Sequence, residues 1–355
     1  MKKLMIMIAA LSLVASFAMT AAAAEWNFYG NARVDMFVTD VDNPGATTDD
    51  KDFAQSFMGT SRIGANIKVS DELTARFEVG GSNNRRLLYG TWNFGSGTLA
   101  VGQMWTPLNW YMSSQVYGGD NGLAGWGAIN ALRSGAVQLG FGGFKIALVA
   151  PTQDAANGTA AYDVNMPTIE ADFVYNFDNG FVKVAGGYNA YEVTAATYTA
   201  DIEAYALGLN GGINFGAFGL KAGVWVGQNV GVYNSNASLL MINTDKGSTN
   251  DGEPTINLTT GQVTDNDAYG FVIVGTFTVN DTLAFEAGYG YAETELDAAG
   301  SFADDVASYY LQATITFAPG VFIVPEIGVI DYGKDAANAD EEEDLYYGLK
   351  WQINF

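Results

Sequence analysis

Apolar and polar residues alternate along much of this chain, and the C-terminal eleven residues, LYYGLKWQINF, show the pattern clearly. Tyr347, Leu349, Trp351, Ile353 and Phe355 fall on one side of this segment, and mostly polar residues fall between them. A period of two residues predicts a β-strand with one apolar face and one polar face.

The same alternation recurs in segments of about ten residues, which is the length that a tilted strand needs to cross a membrane. The sequence predicts sixteen such strands, which lie near residues 26–38, 56–69, 73–81, 85–94, 98–104, 133–141, 144–150, 167–177, 181–191, 203–215, 220–230, 269–279, 283–294, 306–317, 321–331 and 345–355. An even number of antiparallel strands leaves both ends of the chain on the same side.

Short and long connections alternate between the predicted strands. Glycine, asparagine, aspartate and proline mark the tight turns, near 70–72, 95–97, 142–143, 178–180, 216–219, 280–282 and 319–320. The other connections are longer and polar, apart from a short one at 81–84, and lie near 39–55, 105–132, 151–166, 192–202, 231–268, 295–305 and 332–344. This pattern predicts an all-β, antiparallel sixteen-stranded transmembrane barrel, because closure pairs the sheet edges that lipid cannot satisfy.

The N-terminus has the features of a secretory signal peptide. Lys2 and Lys3 precede an apolar run from Leu4 to about Phe17, and the alanines at 22–24 fit an A-x-A cleavage site. We therefore expect a signal peptide over 1–24 and a barrel domain over 25–355. Because no later apolar run is comparable, strands must do any membrane spanning.

Composition excludes several function classes. The chain has no cysteine and no histidine, which removes disulfides, thiolate or histidine metal sites and the Ser-His-Asp triad. We expect no cofactor, no metal and no enzymatic activity, although a hydrolase built from carboxylates or lysine remains an alternative. The mean hydropathy of +0.06 suits a barrel whose inner face is wet.

Strand parity places many charged side chains on the inner face. The arginines among them form the predicted basic wall, which consists of Arg33, Arg62, Arg76 and Arg85. The other charges predicted to face the lumen are Lys68, Glu78, Lys145, Glu170, Asp172, Lys183, Lys221, Glu286, Glu326 and Lys350. Because an Arg or Lys facing lipid at the membrane midplane costs about 2–4 kcal/mol, these residues indicate a water-filled interior.

Over essentially its whole mature length the chain resembles the sixteen-stranded general porins of Gram-negative outer membranes. The closing LYYGLKWQINF resembles the C-terminal signal of that superfamily, which ends in Phe and is read by the barrel-assembly machinery. The resemblance implies that the third outer loop folds into the lumen. Its Tyr117-Gly118-Gly119-Asp120 resembles the Phe-Gly-Gly-Asp at the bend of many porins and is the predicted pore constriction, opposite the basic wall. Porins often carry a Glu two residues before the glycines, where this chain has Val116.

The resemblance implies a porin for passive diffusion of ions and small hydrophilic solutes, as a homotrimer in the outer membrane. The loops would be extracellular and both termini periplasmic, among outer-membrane lipid and lipopolysaccharide, with no nucleic-acid partner. The second outer connection is too short for the subunit latch of many porins, and a latching role for 231–268 stays open. A substrate-specific channel is an alternative, with stacking surfaces at Trp105, Trp110, Tyr111, Tyr117 and Trp126; so is an adhesin or surface protein.

Charge distribution predicts a mild cation preference. The chain has 39 acidic and 16 basic residues, a formal net charge of −23, and the excess lies in the predicted outer loops. Carboxylates around one mouth raise the local cation concentration over about 8 Å at physiological salt. The basic wall opposes this effect at the narrowest point.

Overall fold

The computed structural model describes residues 24–42, 50–109, 111–152, 161–195, 197–233, 242–244 and 251–355. Except for position 24, the predicted signal peptide lies outside the described residues. Within the described ranges, no helix is both long and apolar enough to cross a membrane.

The described chain is dominated by sixteen barrel strands, which we label β1 to β16. In chain order they are β1 Glu25–Asp42, β2 in two segments Asp50–Phe57 and Arg62–Lys68, β3 Leu73–Gly80, β4 Arg85–Asn93, β5 Thr98–Trp105, β6 Arg133–Phe141, β7 Phe144–Val149, β8 Thr168–Phe177, β9 Gly180–Thr194, β10 Thr199–Phe215, β11 Phe218–Gln228, β12 Asn266–Asn280, β13 Leu283–Leu296, β14 Asp304–Ala318, β15 Val321–Asp331 and β16 Glu343–Asn354.

Every strand pairs antiparallel with its sequence neighbours, and the last strand returns to the first. β1 pairs with β16 from Asn31 opposite Asn354 to Asp42 opposite Glu343. On its other side β1 pairs with both segments of β2. The predicted closed sixteen-stranded antiparallel barrel is therefore confirmed.

Alternation of burial along the strands explains why these sequences form a barrel. In β10, Leu207 and Leu209 are 54% and 48% exposed, whereas Ala206 before them and Asn210 after them are each 2% exposed. Apolar side chains therefore point outward, while small and polar side chains point into the lumen. The larger of the two buried clusters in the described residues lies inside the barrel, where inner-face residues meet an inserted loop.

The strand boundaries differ from the predicted ones mainly on the side of the long connections. β1 continues to Asp42 and the first segment of β2 begins at Asp50, so much of the predicted loop 39–55 is a strand pair. The predicted continuous strand 56–69 is wrong, because 58–61 forms a turn in which Ser61 N donates to Met58 O at 2.9 Å. Shorter elements occur in other predicted loops, at Ala161–Asp163, Thr255–Ile256 and Val263–Thr264. A further short element, Val230–Val232, begins at the last residue of the predicted strand 220–230.

The barrel wall is uneven in height. The second segment of β2 and the strands β3 to β7 have 6 to 9 residues each, and we call this side the low wall. The strands β9 to β16 have 11 to 17 residues each.

The C-terminal strand has the predicted two-sided pattern. Tyr347, Trp351, Ile353 and Phe355 are 44%, 44%, 51% and 71% exposed on the outer face, where strand alternation also places the partly buried Leu349. The terminal residue is fixed to the first strand, since Phe355 N donates to Gly30 O at 2.9 Å and Gly30 N donates to Phe355 O at 2.6 Å.

Candidate functional site: an inward loop and its charged surroundings

Residues 106–132, between β5 and β6, leave the wall and fold into the lumen; we call them the inward loop. Its side chains Leu108, Met112, Val116, Leu123 and Ile129 are each at most 1% exposed. They belong to one buried cluster with residues of the longer strands β11, β14 and β16, including Trp225, Tyr310 and Tyr346. Apolar burial therefore holds this loop against one side of the barrel interior.

Three carboxylates on the wall bind backbone amides of the inward loop. Glu170 accepts from Leu108 N at 2.7 Å. Glu286 accepts from Ser114 N at 2.7 Å. Glu326, with a different oxygen for each bond, accepts from Val116 N at 2.6 Å and from Tyr117 N at 3.0 Å.

One lysine holds carbonyl groups of the same loop. Lys183 Nζ donates to Pro107 O at 2.8 Å and to Asn109 O at 3.1 Å, and it pairs with Asp172 at 3.0 Å. The predicted lumen charges at 170, 172, 183, 286 and 326 are thus part of the support of the loop. A charged partner satisfies backbone groups that would otherwise be buried unpaired, at a cost of about 1–3 kcal/mol each.

The tip of the inward loop is the predicted constriction segment, Tyr117–Asp120. Gly118 and Gly119 have φ of 71° and 83°, which favours glycine because a Cβ strains this backbone region. Tyr117 stacks on Tyr346 of β16 with ring centroids 3.9 Å apart. The turn therefore fixes the tip against the junction of β16 and β1.

Asp120, the acid of this tip, is bound to the barrel wall by two cations. Arg33 Nη1 lies 2.5 Å from one carboxylate oxygen and Lys350 Nζ lies 2.6 Å from the other, while Thr60 Oγ1 donates at 2.8 Å. Burial would raise the pKa of the Asp120 carboxyl, but Lys350 and Arg33 outweigh that effect, and the net pKa is lowered. We call this arrangement the Asp120 clamp.

A second charged group surrounds Glu78, which is 1% exposed. Arg86 Nε donates to it at 2.6 Å, Arg76 Nη2 lies at 3.5 Å and Arg62 Nη1 at 3.6 Å. Tyr29 OH donates to it at 3.0 Å. We call Arg62, Arg76 and Arg86 the arginine cluster; its three cations outnumber the one carboxylate that they share.

The prediction that Arg85 faces the lumen is wrong. Glu78 lies opposite Leu87, but Val79 lies opposite Arg85, so Arg86 is the extra residue of a β-bulge. The bulge exchanges the inward-facing and outward-facing positions at the start of β4. Arg85 is therefore exposed on the outer face, with Nε donating to Gln103 at 2.7 Å, while Arg86 takes the inward position and is 6% exposed.

The remaining predicted lumen charges lie away from the inward loop. Lys68 pairs with Asp71 of the adjacent turn at 2.7 Å, and it borders a lumen cavity of about 350 Å³ together with Arg76. Lys145 lies opposite the buried Asp172, and Lys221 lies opposite Gly212. These register positions agree with the predicted inner face.

Two features of the interior were missed by sequence patterns. Arg133, the first residue of β6, has the outward parity, yet its guanidinium lies 4.5 Å from the Trp105 ring centroid and interacts with the lumen residues Arg86 and Glu78. The connection 231–268 also reaches the inward loop, because Asn243 N donates to Gly125 O at 2.9 Å and Ile242 is fully buried. No local sequence signal marks either contact.

The aromatic residues proposed as stacking surfaces differ in accessibility. Trp126 is 6% exposed, and Tyr117 is occupied by its stack on Tyr346. Trp105 and Tyr111 contact each other edge to face at 5.5 Å, and Tyr111 is 44% exposed. Trp110 lies outside the described residues.

A closed sixteen-stranded barrel with polar inner rows and one long connection folded into the lumen is the architecture of a β-barrel membrane channel. The chain belongs to the Gram-negative porin family, whose sequence profile matches residues 9–335. Family and fold together indicate an outer-membrane channel for passive diffusion rather than an enzyme. No curated protein gives a significant match.

Solved structures of outer-membrane proteins have the same fold at low sequence identity. The outer membrane channel DcaP of Acinetobacter baumannii is 15% identical and superposes with a TM-score of 0.72, covering 95% of this chain and 99% of DcaP. Salmonella typhi OmpF in complex with daunomycin is 15% identical with a TM-score of 0.61, covering 92% and 97%. The trimer form of OmpT, an outer membrane protein of Vibrio cholerae, is 16% identical with a TM-score of 0.57, covering 94% and 100%.

Proposed function

We propose that this protein forms a water-filled channel for ions and small hydrophilic solutes, open to passive diffusion and without catalytic activity. The observation that carries the proposal is the charged inner surface of a closed barrel. The side chains of Arg62 and Arg76, which are 22% and 37% exposed, would be costly at membrane depth unless they met water. The channel follows the gap between the inward loop and the low wall. The opposite side of the lumen, next to the longer strands, is filled by the inward loop and by the wall residues that bind it.

The orientation follows from the two kinds of connection. We propose that the short turns and both termini are periplasmic, that the long connections are extracellular, and that residues 1–24 are removed as a signal peptide, leaving the barrel of residues 25–355. The paired ends at Gly30 and Phe355 support a common side for the termini. The outward row of β16 supports a role as an assembly signal for the barrel-assembly machinery, and the apolar outer face suits outer-membrane lipid and lipopolysaccharide.

The pore residues act through charge and position. The Asp120 clamp narrows the lumen at the tip of the inward loop, and the arginine cluster lines the facing side. We expect a mild preference for cations at low salt, because the acidic residues of the outer connections concentrate cations before the constriction. The arginine cluster reduces that preference.

The low wall supports a homotrimer. A membrane-crossing strand needs about 9–11 residues at a tilt of about 45°, and strands of 6 to 9 residues fall at or below this length. Large apolar side chains nonetheless face outward there, among them Leu88, Trp92 and Val101, each more than half exposed. Neighbouring subunits would cover this side in place of lipid.

Reconstitution of the purified full-length mature protein tests the proposed channel and the proposed homotrimer. We expect stepwise conductance in planar bilayers and a trimer mass in mild detergent. A stable protein without conductance would favour the adhesin alternative, and hydrolysis of lipid or peptide would favour the enzyme alternative.

A second candidate function is a substrate-specific channel. The contact of Ile242 and Asn243 with the inward loop favours it, because a second outer connection then occupies part of the lumen and restricts the route. Size-graded neutral solutes distinguish the two candidates. A general channel admits them by size alone, whereas a specific channel shows saturable transport of one class.

A further inference from the structure

The first segment of β2, Asp50–Phe57, stands beside a gap in the barrel wall. It pairs with β1 along its whole length. The next strand, β3, ends at Gly80 opposite Arg62, so it reaches only the second segment of β2. Among the described residues, no strand therefore pairs with the side of residues 53–57 that faces away from β1. We call this side the open edge.

The ladder with β1 identifies the backbone groups on the open edge. Residues that exchange hydrogen bonds with the partner strand alternate along each strand of an antiparallel pair. Met58 N donates to Arg33 O at 3.1 Å, so Met58 and the residues two and four positions before it direct their backbone groups to β1. The N–H and C=O groups of Phe53 and Gln55 therefore point away from β1, toward the gap above β3.

The side chains of the open edge are uncharged, and its two phenylalanines are exposed. Phe53 and Phe57 are 61% and 59% exposed. Phe57 lies opposite Val34, which in turn lies opposite the outward-facing Trp351, so these rings belong to the outer face. Charged side chains and prolines normally protect an exposed strand edge from pairing with another chain. Residues 53–57 contain neither, and the charges of this segment are confined to residues 50–52.

Either environment of the open edge favours cover by another chain. In hydrocarbon, unpaired backbone groups have no water to bind. In water, an apolar strand edge is a template for the addition of an extended segment. The open edge faces the low wall, whose exposed outward side chains include Leu88 and Trp92. A neighbouring copy that covers the low wall in the proposed homotrimer also lies next to the open edge.

We propose that the open edge pairs with an extended backbone segment of a neighbouring copy of this chain, and that Phe53 and Phe57 pack on the outer surface of that copy. The inference rests on the proposed homotrimer. It assigns a contact between subunits to one strand edge, separate from the apolar surface of the low wall. Backbone hydrogen bonds give this contact a direction and a register that apolar contact alone does not fix.

Photo-crosslinking in cells that express the full-length chain tests the contact directly. The variant Phe53→p-benzoylphenylalanine keeps an aromatic side chain on the open edge and leaves the strand otherwise native. After illumination we expect a crosslinked product of twice the chain mass that contains peptides of this chain alone. The same substitution at Phe302 is the control, because Phe302 is 47% exposed in the connection between β13 and β14, on the side of the longer strands. We expect no such product from it.

A pair of variants at Gln55 tests the backbone hydrogen bonds. Gln55→Pro removes an N–H from the open edge and spares the ladder with β1, and proline is tolerated on an edge strand in this orientation. Gln55→Ala is the matched control, because it removes the same side chain and keeps the N–H. Sedimentation of the purified mature protein over a dilution series in mild detergent measures the dissociation constant between copies. Gln55→Pro should raise this constant by about threefold to tenfold relative to Gln55→Ala, the scale of one lost hydrogen bond.

The outcomes separate the open-edge contact from the homotrimer and from the channel. A trimer that gives no crosslink from position 53, or crosslinks only to a different protein, overturns the contact and leaves the homotrimer intact. Equal crosslinking from positions 53 and 302, or equal dissociation constants for Gln55→Pro and Gln55→Ala, also overturns it. A protein that sediments as a monomer and gives no crosslink overturns the contact and the homotrimer together, and its conductance in bilayers still tests the channel independently.

Discussion

Replacing Asp120 by Asn removes the carboxylate that joins the inward loop to Arg33 and Lys350. The two cations then remain within the constriction without their partner, so the local charge rises by one unit. A charge about 4 Å from a passing ion contributes about 1 kcal/mol in a water-like dielectric, which corresponds to about a fivefold effect on each ion. Potassium and chloride are affected in opposite directions, so the permeability ratio should shift toward chloride by up to about thirtyfold.

The zero-current potential across a potassium chloride gradient measures this ratio, at low salt where screening is weak. Asp178→Asn is the control, because it removes the same charge from a tight turn far from the clamp. An unchanged ratio in a correctly inserted Asp120→Asn channel would refute the idea that this carboxylate governs the constriction.

The acid dependence of the clamp has a defined sign. Since the net pKa of Asp120 is below its usual value, the clamp contributes fully above the unfolded carboxyl value of about 3.9 and is lost as the pH falls through the lower folded value. The difference between wild type and Asp120→Asn should therefore persist from pH 7 to about pH 4 and disappear below that. A difference already lost near pH 6 would contradict the lowered pKa.

Three further changes test other parts of the account. Glu326→Gln removes a charged acceptor of two loop amides and should cost about 2 kcal/mol of loop anchoring, seen as excess open-channel current noise; wild-type noise would contradict the anchor role. Deletion of Phe355 should strongly slow outer-membrane insertion, measured as the amount of protein in membrane fractions. If the truncated protein reaches the outer membrane at wild-type levels, Phe355 acts only as an interfacial aromatic residue. Neutralising Glu341, Glu342 and Glu343 together should lower the cation preference at low salt and change little in concentrated salt, and an equal effect at both salts would rule out a screened field.

The alternation along the strands was sufficient to predict the barrel, because lipid on one face and water or polar partners on the other impose a period of two. β16 illustrates this, since its outward row from Tyr347 to Phe355 and its inward Lys350 follow the sequence pattern throughout. The tight turns were also predictable, because their glycines and asparagines have local conformational preferences.

Local irregularities and long-range contacts limited the rest. A single extra residue at Arg86 reversed the direction of Arg85, and strand parity carries no signal for such a bulge. The anchoring role of Glu170 and Glu326 depends on backbone amides more than 60 residues away in the chain. Parity could place these carboxylates inside the barrel but could not identify what they bind.

The lengths of β1 and β2 were underestimated, because hydrophobic alternation is weak at the ends where they pair. The segments near Asp42 and Asp50 contain several acidic residues and were therefore predicted to be loops. In the structure, β1 and β2 continue to pair there. Strands outside the membrane meet water on both faces, so their hydrophobic alternation fades while their backbone pairing persists.

The measurement that tests the central claim most directly is the current through a planar bilayer after addition of the purified mature protein. We expect discrete, additive conductance steps in potassium chloride that scale with salt concentration. A folded, bilayer-inserted protein that carries no current would contradict it.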